Sequence, residues 1–315
     1  MTVTTPLKDL LTIGGLDRDT LIELIDVADT MNAHPSLHDR CLAGCTVASI
    51  FDKPSTRTRV SIAGAVARLG GQTQVLRPDE LQLGRGETVE DTARVLGSFV
   101  SAVTIRTFEH ERVEQFAAAC DVPVINALTD THHPLQALAD VMTLRQCFGS
   151  WDGLRVAWIG DGNNVAHSLM EACALLGIDI TLATPPDRQP DATIVAGARV
   201  IAQRSGSAID LVSDPHEAAR DVSAVATDVW SSMGEQSDVD DLRAKLRPYR
   251  VDDTIMSLAP DAIFLHCLPA HRGDEVTADV IDGPQSRVFQ QAANRLPTVQ
   301  ALLWRLVNDH ATSSR

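Results

Sequence analysis

Ala48-Ser49-Ile50-Phe51-Asp52-Lys53-Pro54-Ser55-Thr56-Arg57-Thr58-Arg59 is the stretch that decides how this chain is read. The apolar run 46–51 predicts a buried strand, and 60–69 predicts a helix closed by Gly70-Gly71. Ser55 is a natural N-cap, whose hydroxyl accepts a first-turn N–H. A strand feeding a helix N-terminus gathers unpaired N–H donors and the positive end of the helix dipole at one point. Lys53, Arg57 and Arg59 add formal charge there, interleaved with the hydroxyls of Ser55, Thr56 and Thr58. Such a combination binds a phosphate dianion. The bland alternative, a solvated basic helix start, leaves the interleaved hydroxyls without a role. The Gly-x4-Gly-Lys-Ser/Thr spacing of a P-loop is absent, so a nucleotide is not implied.

The same alternation spreads along the chain in both directions. Upstream, Leu21, Leu24, Ile25, Ala28 and Met31 mark one face of a helix. Downstream come a short strand at 74–76, a polar loop at 77–87, a helix over 87–99 with Val89, Ala93, Leu96 and Phe99 on one face, and a strand over 102–106. A helix over 109–120, a strand over 122–126 and a helix from His133 through Cys147 follow. The pattern then restarts, with strands at 154–159, 178–183, 208–212, 222–229 and 262–268, and closes on an amphipathic helix over 296–307. Apolar strands separated by amphipathic helices predict α/β architecture: two doubly wound parallel-sheet domains joined by interdomain helices. In such sheets ligands lie beyond the carboxyl ends of the strands. Ser55–Thr58, Arg106 and His133-Pro134-Leu135-Gln136 all fall at such ends. The loop at 77–87, with Gln82, has the length and composition of a mobile surface segment or a functional flap.

The chain has 315 residues, 44% of them hydrophobic and 22% charged, which fits two packed domains of ordinary size. A formal net charge of −15 argues against nucleic acid or an anionic membrane as partner, and leaves a local basic pocket for a small anion. Neither a secretory leader nor a membrane span is expected, and the chain reads as cytoplasmic. Cys41, Cys45, Cys120, Cys147, Cys173 and Cys267 are scattered without zinc spacing, so reduced thiols and no metal are expected.

Other stretches are open to more than one reading. Gly160-x-Gly162 after a strand suggests a dinucleotide turn, but Val165 stands where a third glycine belongs. Asn163 and Asn164 suit a ligand carboxylate or amino group, and an ordinary capped βα turn explains them about as well. His133 suits a donor to a carbonyl oxygen, and Gln136 an acceptor from an amide NH₂. Asp228, where the chain leaves a strand, suits an ammonium group or a helix cap. Cys267 in His266-Cys267-Leu268-Pro269 could act as a nucleophile, though burial at a strand end and a non-covalent role at an amine fit better.

Phe-x-Lys-x-Ser-Thr-Arg-Thr-Arg and His-Pro-x-Gln resemble the carbamoyl-phosphate signatures of the aspartate/ornithine carbamoyltransferase family. Asp228 with Ser232-Met233-Gly234, His266-Cys267-Leu268-Pro269 and Gly160-Asp161-x-Asn163-Asn164 resemble the ornithine-side signatures, and the likeness covers nearly the whole chain. The resemblance implies a carbamoyl-phosphate-binding domain over 1–140, completed by a C-terminal helix over 296–315, and an ornithine-binding domain over 141–295. It implies carbamoyl phosphate on Ser55, Thr56, Arg57, Thr58, Gln82, Arg106, His133, Gln136, Cys267, Leu268 and Arg295. Ornithine would lie on Asn164, Asp228, Ser232 and Met233. Arg57, Arg106, His133 and Cys267 would be catalytic, with Cys267 as thiolate or acceptor orienting the amine. The implied reaction is direct attack of the ornithine δ-amine on the carbamoyl carbon to give citrulline and phosphate, without cofactor or metal, in arginine biosynthesis. A homotrimer with shared active sites is also implied. The rivals are a carbamoyltransferase for another amine, a metabolite-binding regulator that keeps the pocket without turnover, and an NAD-dependent dehydrogenase.

Overall fold

The expected alternation is realised as two parallel sheets in the computed structural model, which describes residues 6–34, 40–82, 86–230 and 239–313. The first sheet holds β1 (Thr46–Phe51), β2 (Gln72–Leu76), β3 (Ala102–Arg106) and β4 (Val124–Leu128) in the order β2-β1-β3-β4. The second holds β5 (Arg155–Ile159), β6 (Asp179–Ala183), β7 (Ile209–Val212), β8 (Ala224–Thr227) and β9 (Ile263–His266) in the order β7-β6-β5-β8-β9. Neighbouring strands are parallel throughout. The longer helices are α1 (Arg18–Ala33), α2 (Arg57–Arg68), α3 (Val89–Gly97), α4 (His110–Ala119), α5 (Pro134–Phe148), α6 (Asn164–Leu176) and α7 (Ala192–Ser205). Then come α8 (Pro215–Ala218), α9 (Val239–Leu246), α10 (Asp253–Met256), α11 (Ala278–Ile281) and α12 (Val288–Ser313).

The chain divides into two compact units, 1–138 with 294–315, and 139–293. Helices α5 and α12 carry the chain across both boundaries. In the first unit Ala48, Ile50, Val103, Ile105, Val113, Phe116 and Val124 form a core. Ser49 is fully buried there, and its hydroxyl accepts from that of its register partner Thr104 at 2.9 Å, so the polar pair costs little. In the second unit Ala157, Ile159, Val225, Phe264, Leu246 and Tyr249 belong to one core. Every residue of α6 from Val165 to Leu176 is buried, the polar His167, Ser168 and Glu171 among them.

Three expectations need correcting. The strand placed at 122–126 runs Val124–Leu128. The helix placed at 296–307 begins eight residues earlier, at Val288, and runs through Pro297. Proline lacks the N–H for one rung of the ladder and so reads as a boundary. Here Leu302, Leu303 and Leu306, all fully buried, anchor the helix beyond it. Phe99 stands 73% exposed, because α3 ends at Gly97 and the apolar face does not reach it.

Each sheet has one point where the strand order reverses. In the first it lies between β1 and β3, and in the second between β5 and β8. Crevices for ligands open there, beyond the carboxyl ends of the strands. Ser55–Thr58 and Arg106 leave the first sheet at its switch point; Asn163, Asn164 and Asp228 leave the second at its own.

Candidate active site

In the first unit the β1–α2 turn is built as a cradle. The helix begins at Arg57, and the Ser55 hydroxyl accepts the Thr58 N–H at 3.2 Å, the capping role expected of Ser55. Thr56 occupies the cap position itself and makes no side-chain cap bond. Thr58 is buried, and its hydroxyl accepts from an Arg295 terminal nitrogen at 3.2 Å. The other Arg295 terminal nitrogen donates to Gln136 Oε1 at 2.7 Å. Apart from the family resemblance nothing in the sequence marks Arg295, which lies 237 residues from Thr58. Buried on α12, it ties the first turn of α2 to the first turn of α5.

His133 lies just before α5 and is buried. Its pKa is held well below the usual 6.5, first by burial and then by the positive charges of Arg295, Arg106 and Arg57. The imidazole is therefore neutral near pH 7, able to donate one N–H without adding charge. Arg106 ends β3, where its carbonyl accepts from Asp52 N–H at 2.8 Å. These interactions bring together Thr58, Arg57, Arg106, His133, Gln136 and Arg295. Gln82 is exposed in its loop, and no hydrogen bond or ion pair among the described residues joins its side chain to the cradle. The neighbouring Leu83, Gly84 and Arg85 lie outside the described residues.

In the second unit Asp228 is the hub. It is 7% exposed, with Oδ1 accepting from the Cys267 thiol at 2.9 Å and Oδ2 from the Asn163 amide at 2.9 Å. This corrects the thiolate role: a thiolate so close to a carboxylate oxygen would repel it, whereas a thiol donates to it. Asn163, which the family resemblance did not place on a ligand, also caps α6, its Oδ1 accepting from Val165 and Ala166 N–H. One amide side chain thus starts the helix and holds the acid. Asn164 opens α6 and is half-buried. Ser232 and Met233, with Ser231 and Gly234, lie outside the described residues.

A chain of buried polar groups supports Cys267 and Leu268. The His266 N–H donates to Gln291 Oε1 at 2.9 Å, and Gln291 in turn donates to Asp140 at 2.6 Å. His266 Nδ1 accepts the Leu268 N–H at 2.9 Å, which leaves Nε2 to carry the proton toward Glu275 Oε1 at 3.2 Å. Leu268 is held in a left-handed conformation at φ 58°, a strained state for leucine that needs such support. Asp228, His266 and Cys267 place potential metal-ligand atoms within 4.8 Å of one another. Both ring nitrogens of His266 are already engaged, so the trio lacks its imidazole donor. No signal in the sequence marked Glu275 or Gln291, because their roles appear only once the strand end is in place.

The Gly160-x-Gly162 turn has a structural role. A Cβ on Gly162 would lie 2.3 Å from Pro190 N and 2.7 Å from Arg188 O. Gly162 N–H donates to Arg188 O at 3.0 Å, and Arg188 pairs with Asp161 at 3.1 Å. The protein's own backbone fills the close approach that a dinucleotide pyrophosphate would need. None of the six cysteines forms a disulfide, and among the described residues no helix is long and apolar enough to cross a membrane.

Two family models match in succession along the chain. Residues 8–146 match the family model described as aspartate/ornithine carbamoyltransferase, carbamoyl-P binding domain. Residues 152–306 match the one described as aspartate/ornithine carbamoyltransferase, Asp/Orn binding domain. An ornithine carbamoyltransferase of Bacillus subtilis (strain 168) is 49% identical over 300 residues, covering 94% of this chain and 92% of that one. The solved ornithine carbamoyltransferase from Pyrococcus furiosus superposes with a TM-score of 0.94 at 44% identity, over 98% of this chain and 99% of its own. An anabolic ornithine carbamoyltransferase from Campylobacter jejuni gives 0.90 at 37% identity, over 96% and 99%.

Proposed function

We propose, for a chain that belongs to the aspartate/ornithine carbamoyltransferase family, that the two switch-point clusters bind carbamoyl phosphate and L-ornithine and make L-citrulline and phosphate. The enzyme is an ornithine carbamoyltransferase. The observation that carries the reading is His133, buried and neutral under Arg57, Arg106 and Arg295, beside a hydroxyl-lined helix start. A dianion needs the hydroxyls and the helix dipole; a carbonyl needs the neutral donor.

The free N–H groups of the first turn of α2, with Ser55, Thr56, Arg57 and Thr58, hold the phosphate. Thr58 accepts from Arg295, so its own O–H is left to donate. Thr58, Arg106 and His133 donate to the carbonyl oxygen as it gains negative charge, an effect typically worth on the order of 100- to 1000-fold in rate per donor. Gln136 Oε1 accepts from Arg295 and keeps a second lone pair for the carbamoyl NH₂. Leu268 and Gln82 are assigned to the carbamoyl-phosphate side on the strength of the family resemblance. Asp228 pairs with the α-ammonium, Asn164 with the α-carboxylate, and Ser232 and Met233 complete the ornithine side. An alkyl amine has a pKa of roughly 10. Guanidinium groups facing a bound amine favour its neutral, attacking form. Its nitrogen bonds to the carbamoyl carbon, the C–O bond to phosphate breaks, and the departing phosphate takes the proton. Cys267, held as a thiol against Asp228, orients the amine.

The reaction serves arginine biosynthesis, as the anabolic Campylobacter jejuni enzyme supports. A homotrimer with shared sites belongs to the same reading, and exposed apolar side chains of the first unit such as Val60 (65% exposed), Val95 (48%) and Phe99 (73%) fit contact with a further copy. Free thiols throughout fit the cytoplasm. The test is to incubate the protein with carbamoyl phosphate and a panel of amines: ornithine, putrescine, N-acetylornithine and aspartate. Equal release of phosphate and citrulline with ornithine alone is expected. Phosphate without a ureido product, or preference for another amine, overturns the assignment.

A further inference from the structure

Lys53 lies inside the phosphate signature, yet its ammonium is engaged elsewhere. Nζ donates to Asp130 Oδ1 at 2.6 Å and sits 4.0 Å above the centroid of the Phe108 ring. The Lys53 side chain is only 11% exposed, whereas that of Asp130 is 54% exposed. Each of the three residues follows a different strand of the first sheet. Lys53 leaves β1 two residues before Ser55, Phe108 leaves β3 two residues after Arg106, and Asp130 leaves β4 three residues before His133. The Asp130 N–H also donates to Phe108 O at 2.8 Å, and the adjacent Asp52 accepts from Thr107 Oγ1 at 2.6 Å.

We propose that Lys53 is a positioning residue: it clamps the three strand-end loops that carry Ser55–Thr58, Arg106 and His133, and does not itself touch the phosphate. This rests on the reading of that cradle as the carbamoyl-phosphate site. Such sites lose function when their groups shift by a fraction of an ångström to one ångström. A lysine with its charge satisfied by a carboxylate and an aromatic face is spent as an anion ligand but effective as a tie.

The sign of one substitution separates the two roles. Asp130→Asn removes a negative charge beside the cradle and releases the Lys53 ammonium. If Lys53 bound phosphate directly, that change would leave carbamoyl-phosphate binding unchanged or tighten it. If Lys53 is a clamp, binding weakens despite the gain in positive potential. Carbamoyl-phosphate binding is measured by titration calorimetry on the wild type, Lys53→Met, Asp130→Asn, the double variant and Lys53→Arg. The thermal unfolding midpoint and the KM for ornithine are recorded alongside.

Lys53→Met is expected to weaken binding about tenfold and Asp130→Asn about threefold to tenfold, with the ornithine KM within about twofold of wild type. The double variant is no weaker than Lys53→Met alone within about twofold, because both remove one tie. Lys53→Arg retains most affinity, since a guanidinium also pairs with a carboxylate and stacks on a ring. Unchanged or tighter binding by Asp130→Asn overturns the proposal, as do additive losses in the double variant. Should Lys53→Met not fold, Asp130→Asn decides by itself. A wild type that binds carbamoyl phosphate but yields no citrulline breaks the functional reading while leaving the clamp to be judged by the binding ratios.

Discussion

In the first unit the groups beyond the strand ends are cations and hydroxyls; in the second they are a carboxylate, a thiol and amides. The first set begins in seven consecutive residues, Lys53 to Arg59, where strand, turn and helix start follow one another. The second has no such local core. Asn163, Asp228 and Cys267 leave three different strands and meet only through hydrogen bonds of 2.9 Å at the Asp228 carboxylate. The physical cause lies in the ligands each set suits. A phosphate dianion is met by backbone N–H groups and the dipole of one helix start, which a short segment supplies. An amino acid carries opposite charges on different atoms and needs donors and an acid held apart, which separate strand ends provide.

That contrast can be broken by substitution, starting with the largest effect. Arg57→Gly removes a cation from the phosphate side and is expected to lower kcat about 1000-fold or more and to weaken carbamoyl-phosphate binding. Steady-state kinetics that return a normal kcat would remove Arg57 from the mechanism and leave the cradle as a binding element only. Asp228→Asn acts on the other side. It keeps the shape but loses the charge, and the ornithine KM should rise about 100-fold with carbamoyl-phosphate affinity unchanged. An ornithine KM equal to wild type would sink the assignment of the second cluster to the amino acid.

The smallest effect is read as stability against pH. His133 has a folded-state pKa well below its ordinary 6.5, because burial and the nearby arginines disfavour its charged form. Above about pH 6.5 neither state binds the proton, and this group contributes no slope. As pH falls below that value the unfolded chain binds a proton that the folded chain does not, so stability is lost toward acid. The loss approaches about 1.4 kcal/mol per pH unit for one such group. His133→Asn should flatten that part of the profile in chemical denaturation at pH 5 and pH 7. An unaltered slope would mean that the imidazole is not held neutral.

The wound parallel sheets were legible because strands buried on both faces are uniformly apolar and the intervening helices are not. The cradle was legible because its donors are contiguous. Less could be read where a residue's role depends on distant chain. Lys53 stands in the signature without an evident ligand atom, and only the fold supplies its partner, Asp130, 77 residues away. Arg295 looked like an isolated arginine until α12 delivered it to Thr58 and Gln136. Gly162 read as half of a dinucleotide fingerprint, yet the backbone of 188–190 occupies that approach.

Periodicity and local motif are properties of neighbours along the chain, so amino-acid order was sufficient for the α/β class and for the Ser55 hydroxyl that accepts from the first turn of α2. Charge state and partnership are properties of neighbours in space. Folding alone holds the His133 pKa down, makes Cys267 a donor to Asp228, and gives Lys53 its partners Asp130 and Phe108. Electrostatic and hydrogen-bond energies act over a few ångströms, and only the packed sheets bring residues so far apart in sequence within that range.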